Sequence, residues 1–542
     1  MTTGETGFLI RGGTVYDGTG AAPQRADVLV RGARVEAVGT GLSAQGLPEI
    51  DAAGCAVTPG FVDIHRHHDL AVMREKDFGR IELAQGITTA IAGNCGLAPV
   101  PLDRKRHAPF FSYIEPVVGK PEGDACHMDT ASYAGYARTL ENIRLPLNMG
   151  FLAGMGAVRY AVKGFDPAPF SAQETQRAAA LIDAALDAGA YGLSLGVMYR
   201  PECYTAAEEY DALVRPVARR DGLLCTHIRG EGDSLVESVQ EVIGIARRTG
   251  VRLNISHFKA TGIRNWRTKI FGAIECIEAA RATGLEVTAD FYPYDGGSTT
   301  LLSLLPPTLQ EQPPQYFGTG AGRAALRREI YREHPGWDNM ALSIGWERIL
   351  LSAAGGAFAA DQGMDFAQAA ARHGCADPAD YAAQLLAEQG SAVGIIVLSM
   401  DWRDVQTIAR LPYTAVISDS LYSGAGSPHP RLYGAFPRAL RLLVQEERLL
   451  TMEQAVAKMT FLPATRMRLS GRGRLCAGAA ADVLIFAPEE LRDTASYAAP
   501  CGIAAGMRHV LVNGRPAWTN AAPAAEAAGR FLRRQDTDGG IK

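Results

Sequence analysis

The stretch Thr58–Leu70, TPGFVDIHRHHDL, joins a short apolar run to three histidines, and its reading decides the fold. On extended backbone successive side chains alternate, so His65 and His67 point to one side while His68 faces away. Two imidazoles so placed can share a metal ion, neutral imidazole nitrogen being a common zinc ligand. HxH alone is a weak signal, and two surface histidines are the usual explanation of such a pair. Moving outward along the chain, GFVDIH is the first of eight such runs, followed by TTAIAGNC, NMGFLAG, YGLSLG, LLCTHI, RLNISH, EVTADFYP and TAVISD. Residues 206–222 and 234–250 between them carry apolar residues at helical spacing, and both end in glycine as a C-cap does. Eight buried strands alternating with helices predict an α/β chain folded as a (β/α)8, TIM-like barrel. An open doubly wound sheet shares that local pattern, but no GxGxxG opens a helix after an early strand, which disfavours a dinucleotide fold.

The ends of these runs carry the chemistry. Cys95 follows His65 by 30 residues, about one βα unit, and His227 and His257 repeat the same interval. Asp419 closes the eighth run. A solitary cysteine or histidine at a strand end is usually a core residue. The recurrence of His65, His67, Cys95, His227, His257 and Asp419 at strand ends 1, 2, 5, 6 and 8 argues for one site, because active sites of such barrels lie at the C-terminal ends of the strands. Thiolate is soft and imidazole borderline, a set suited to Zn²⁺ and poorly suited to Mg²⁺ or Ca²⁺. Zinc lowers the pKa of its water towards ~7, and the Asp419 carboxylate can take that proton and return it to a leaving nitrogen. A rival assignment, Cys225 as nucleophile with His227 as base, leaves His65, His67 and His257 unexplained.

Both ends of the chain read differently from its middle. FLIRGGTVYDG and ADVLVRGARVEAVG near the start, and ADVLIFAP and MRHVLVNGRPAW near the end, are short glycine-punctuated strands. They predict a small composite β-sandwich domain from residues 1–58 and 470–542, with the barrel over 59–469. Between Tyr294 and Ile417 lie 122 residues, more than one crossover needs, so residues 296–410 are expected to form an inserted subdomain, a lid, between barrel strands 7 and 8. Of the 542 residues, 47% are hydrophobic and 21% charged, which excludes wholesale disorder. The net charge of −4 argues against a nucleic-acid partner, and no stretch approaches the ~20 apolar residues of a membrane span. Nine scattered cysteines without a CxxC pair, and a start without a secretory signal pattern, point to a reducing, cytoplasmic setting.

Taken together, TPGFVDIHRHHD, GNCGLAPVP, THIRGE, SHFK, YPY, ISDS and HPRLYGAFPR resemble the amidohydrolase superfamily in its D-aminoacylase (N-acyl-D-amino-acid deacylase) branch, from about residue 5 to residue 518. That resemblance implies a β-sandwich plus barrel, and an insertion where the 122-residue gap falls. It implies a tight zinc site on Cys95, His227 and His257, and a second, weaker site on His65, His67 and the shared Cys95. It makes Asp419 the general base, sets Lys259, Tyr292 and Arg431 on the substrate carboxylate, and lines the pocket with Tyr199. Arginine suits a carboxylate through a bidentate fork and lysine through a point charge. Without the flanking motifs, Lys259 and Arg431 would be read as ordinary ion-pairing residues. The chain departs from the family pattern at His68, where Asp is common, and at Glu202, where Gly is frequent. The implied reaction is zinc-dependent hydrolysis of a small-molecule N-acyl-D-amino acid. The rivals are a cyclic-imide hydrolase, whose relatives bridge two metals with a modified lysine, and an inactive scaffold-like relative. The loop after YPY, Asp295–Pro307, holds four leucines and no Lys or Arg, which predicts a preference for neutral, apolar D-residues over acidic ones.

Overall fold

The structure, a computed structural model, describes residues 7–73, 78–119, 128–422 and 426–534. All eight apolar runs form strands, and their side chains are buried on both faces, as expected of a parallel sheet covered by helices. Phe61–Asp63 pairs in parallel with Ile87–Ala92, and that strand with Asn148–Phe151. Leu152 separates Asn148–Phe151 from Ala153–Gly154, which continues the parallel order through Gly192–Gly196, Leu223–His227, Arg252–Ile255, Val287–Phe291 and Thr414–Val416. Ser420–Leu421 then pairs in parallel with Arg66–His67, so the eighth run lies against the first. Buried Asp63 reinforces this seam, accepting from the backbone N of Ser418 at 3.1 Å and from Arg66 Nη1 at 3.3 Å.

Helices Glu209–Arg219 and Leu235–Thr249 lie where the apolar spacing put them, each burying its apolar face against the strands. Gly250, at φ 74°, caps the second helix in the left-handed conformation. Gly222 does not cap the first. That helix stops at Arg220, Asp221 takes the left-handed turn (φ 51°), and Gly222 lies so close to Val217 that a Cβ would meet its Cγ1 at 2.7 Å.

Strands from both ends of the chain share one nine-stranded sheet. The junction is antiparallel, Val483–Phe486 against Ala56–Pro59, and Gly7–Val15 continues on the far side. Ile10, Val28, Val57, Val483, Ile485 and Leu511 form its own core. Residues 1–6 and 535–542 of this expected unit lie outside the described residues. The segment after Tyr294 has a separate core too. Gly297–Thr300, Gly394–Val397 and Ile349–Ala353 make a three-stranded antiparallel sheet, packed with Leu301, Phe317, Leu326, Phe366 and Tyr381. Helix Trp402–Arg410, read from sequence as part of the insertion, instead gives Val405, Ile408 and Ala409 to the main core. Its apolar stripe faces the seventh and eighth strands.

Candidate functional site

The strands end in turns that aim side chains into one cavity. Cys95, His257 and Asp419 all take positive φ, at 55°, 36° and 50°, a region sparsely populated by residues other than glycine. Each turn is held from beneath. Asp419 N donates to His65 O at 2.9 Å, His257 N to Asp290 Oδ1 at 2.5 Å, and Gly96 N, beside Cys95, to Ser194 Oγ at 3.0 Å.

Cys95 Sγ lies 3.3 Å from His65 Nε2 and 3.5 Å from His257 Nε2. Two buried donor sets result, His65–His67–Cys95 and Cys95–His227–His257, and within each the donor atoms lie within 4.8 Å of one another. Cys95 belongs to both. Burial lowers the basicity of His65, which falls well below its ordinary value, of His227, to about 3, and of His257. They are therefore neutral and present lone pairs. Burial also pushes the Cys95 thiol well up, so a cation is needed to draw off its proton. Imidazoles and one thiol converging in this way form a donor set that fits Zn²⁺. His68 is buried against Phe78 and Phe151 and belongs to neither set.

Asp419 Oδ1 stands 3.5 Å from His65 Nε2 and 3.4 Å from His67 Nε2, while Oδ2 pairs with Arg431 Nη1 at 2.8 Å. Burial opposes its charge, but Arg431 and the imidazoles outweigh burial and hold the carboxyl well below the usual range. Arg431 lies over the Tyr292 ring at 4.6 Å and Lys259 at 5.7 Å. Arg431 Nε and the Tyr292 hydroxyl, both buried, have no hydrogen-bond partner among the described residues. The Tyr199 ring lies 4.8 Å from the His227 ring, tilted at 58° to it. All these groups except His65 line one cavity, with Leu97, Val117, Met198, Met340, Val397 and Leu421 as its apolar wall.

Three participants carry no assignment from sequence. Glu231 binds Lys259 Nζ at 2.6 Å and lies 3.0 Å from His257 Nδ1. Burial opposes its charge, and Lys259 and the histidines overcome that, holding its carboxyl far down. Lys259 thus faces the cavity while tethered to an anion. Glu231 sits inside the THIRGEG stretch, so an acid four residues after a ligand histidine was the available signal. Asp290 is the acid inside the run EVTADFYP, after Glu286 at its start, and Met198, whose Sδ is 2.8 Å from His227 Nε2, carried no signal.

Residues 48–282 and 413–517 match the amidohydrolase family. The chain is 36% identical to the N-acyl-D-glutamate deacylase of Alcaligenes xylosoxydans xylosoxydans over 97% of its own length and 96% of that protein's. It is 32% identical to the D-aminoacylase of the same organism, over 97% of each. Among solved structures, the N-acyl-D-glutamate deacylase from Bordetella bronchiseptica, complexed with zinc and a phosphonate mimic of the tetrahedral intermediate, superposes with a TM-score of 0.81 at 34% identity, covering 98% of this chain and 100% of that one. The chain belongs to the amidohydrolase family.

Proposed function

We propose that this amidohydrolase is a zinc-dependent amide hydrolase that cleaves N-acyl-D-amino acids to a carboxylate and a free D-amino acid. The observation that carries this reading is two donor sets that share Cys95 at one cavity, with Asp419 and the cationic groups Arg431 and Lys259 beside them. The relatives named for such deacylation support it. Cys95, His227 and His257 would hold the tight zinc, and His65, His67 and Cys95 a weaker one. Zn²⁺ supplies Lewis-acid polarisation and acidification of water. Asp419 accepts the proton of the attacking water and delivers it to the leaving nitrogen, its position set by Arg431. Arg431, Lys259 and the Tyr292 hydroxyl hold the substrate carboxylate, and Tyr199 bounds the cavity next to His227.

The same proposal includes the architecture: a (β/α)8 barrel, supported by the strand order returning to its start; a composite β-sandwich, supported by Val35 N donating to Ala479 O where the sheet curls back on itself; and a lid spanning the segment with its own core. No helix among the described residues is long and apolar enough to cross a membrane, and the eight cysteines described are all free, which supports a cytoplasmic setting.

Neutral, apolar D-residues are the proposed preference, but not for the reason that the sequence suggested. Leu301, Leu304 and Leu305 pack inside the insertion's own core. The support lies in the cavity wall, whose only cations among the described residues are Lys259 and Arg431, each already paired with an acid. Arg264 is held by Asp233 and Glu333, and Arg323 donates to Gly318 O. Comparing kcat/KM for N-acetyl-D-leucine, its L-enantiomer and N-acetyl-D-glutamate on zinc-loaded protein tests both levels. A higher value for the glutamate compound overturns the preference, and turnover of cyclic imides alone overturns the reaction.

A further inference from the structure

Asp290 lies beneath the two donor sets, and no step above uses it. It sits in Val287–Phe291, on the same face as buried Thr288, and is 1% exposed. Its Oδ2 accepts from Asn254 Nδ2 at 2.6 Å, which fixes the carboxylate from the adjacent strand. Its Oδ1 accepts from the backbone N of His257 at 2.5 Å, the residue whose φ of 36° aims the ring at Cys95. The same Oδ1 stands 4.0 Å from His65 Nδ1, an atom with no hydrogen-bond partner among the described residues. The other nitrogen of that ring, Nε2, faces Cys95 Sγ at 3.3 Å. An imidazole that ligates through Nε2 carries its proton on Nδ1, and that proton needs an acceptor; metal-binding histidines usually find a carboxylate or carbonyl for it.

We propose that Asp290 is a positioning residue shared by the two donor sets: it fixes the turn that aims His257, and it accepts the Nδ1 proton of His65 when Nε2 of that ring is coordinated. One oxygen serves both duties. Loading the His65–His67–Cys95 set draws Asp290 and His65 together across a gap of 4.0 Å, and the same oxygen carries the His257 backbone. Asp290 is thus a physical link between the sites.

This inference rests on the two-set metal reading, and the test separates the two. In zinc titrations of the full-length protein, Asp290→Asn keeps an acceptor for His257 N but loses the anionic partner of His65. The first zinc should bind within about threefold of the unsubstituted protein, whereas the second should bind about 10- to 100-fold more weakly. Unchanged affinities at both steps, or an equal fall at both, overturns the proposal. Should the variant fail to fold, imidazole ¹⁵N NMR of the unsubstituted protein answers instead. A hydrogen-bonded Nδ1 proton, missing from the His65→Gln spectrum, should emerge with the second zinc equivalent, and its failure to emerge also overturns the proposal. If the unsubstituted protein binds no zinc at all, the metal reading itself falls.

Discussion

Replacing Glu202 by glutamine should flatten the dependence of stability on pH. The side chain is 1% exposed; its Oε2 accepts from Gly196 N at 2.9 Å, and its Oε1 lies 3.0 Å from the Tyr210 hydroxyl. A Cβ added to Gly96 would meet Oε2 at 2.4 Å, so this carboxyl packs directly against the turn that carries Cys95. Burial raises its pKa from 4.5 to about 8, against the opposing effects of the Gly196 N–H and Tyr210. In the folded protein Glu202 therefore holds a proton that the unfolded chain has already released. The unfolded state binds fewer protons across this interval, so stability falls as pH rises from about 4.5 to about 8. At about 1.36 kcal/mol per unit, the interval from pH 5 to pH 8 corresponds to roughly 4 kcal/mol at most. Glutamine copies the neutral acid, offering an acceptor to Gly196 and a donor to Tyr210, and has no proton to lose. Urea-unfolding free energies of both proteins at pH 5, 6.5 and 8, with chelator present to exclude zinc linkage, should show the variant gaining on its parent by a few kcal/mol as pH rises. Parallel curves would refute the buried-neutral-acid reasoning.

Asp419→Asn should leave zinc content near that of the unsubstituted protein while lowering kcat by about 10²- to 10⁴-fold, as loss of a proton-transfer group does; retention of most activity would remove Asp419 from the mechanism. Cys95→Ser should lower zinc affinity and activity together, because hydroxyl is a poor substitute for the thiolate shared by both sets. A fully zinc-loaded, active serine variant would make Cys95 a packing residue. Asp338 ties the insertion to the start of helix Leu235–Thr249, accepting from Gly232 N at 2.7 Å and from Ser234 N at 3.1 Å. Asp338→Ala should therefore speed proteolysis within residues 297–397 and raise KM through the neighbouring Met340; an unchanged cleavage rate counts against a clasped lid.

Much of the fold was readable because it repeats. A βα unit of about 30 residues places His65 and Cys95, and again His227 and His257, at equivalent ends of successive or neighbouring units, so strand ends can be counted without knowing the pairing. The insertion was visible only as excess length. Apolar composition shows that Leu301, Leu304 and Leu305 are buried, but not against what, and they serve the insertion's core rather than the cavity. Helix Trp402–Arg410 was misplaced for the same reason, since an amphipathic stripe names a face and not its partner.

The buried acids show where local reading stops. Asp63, Asp290 and Glu202 each interrupt or adjoin apolar stretches, where composition alone suggests a misplaced charge. The partners of the first two lie far along the chain: Asp63 takes the backbone of Ser418, 355 residues away, and Asp290 that of His257, 33 residues away. Those bonds support Asp419 and His257, two of the turns in which non-glycine residues hold positive φ, a conformation costing about 1–3 kcal/mol each. A buried acid there offsets strain by binding backbone N–H groups that no ladder partner could reach. It also sets charge: burial first raises the pKa of Asp290, to about 7, against the hydrogen bonds from His257 and Asn254, with Asp419 and Asp63 adding to the rise. Carboxylates that crowd one another in this way lower the potential beneath the donor sets, and a divalent cation relieves that crowding. The strain at the strand ends and the affinity for a cation are therefore two consequences of one arrangement of buried acids.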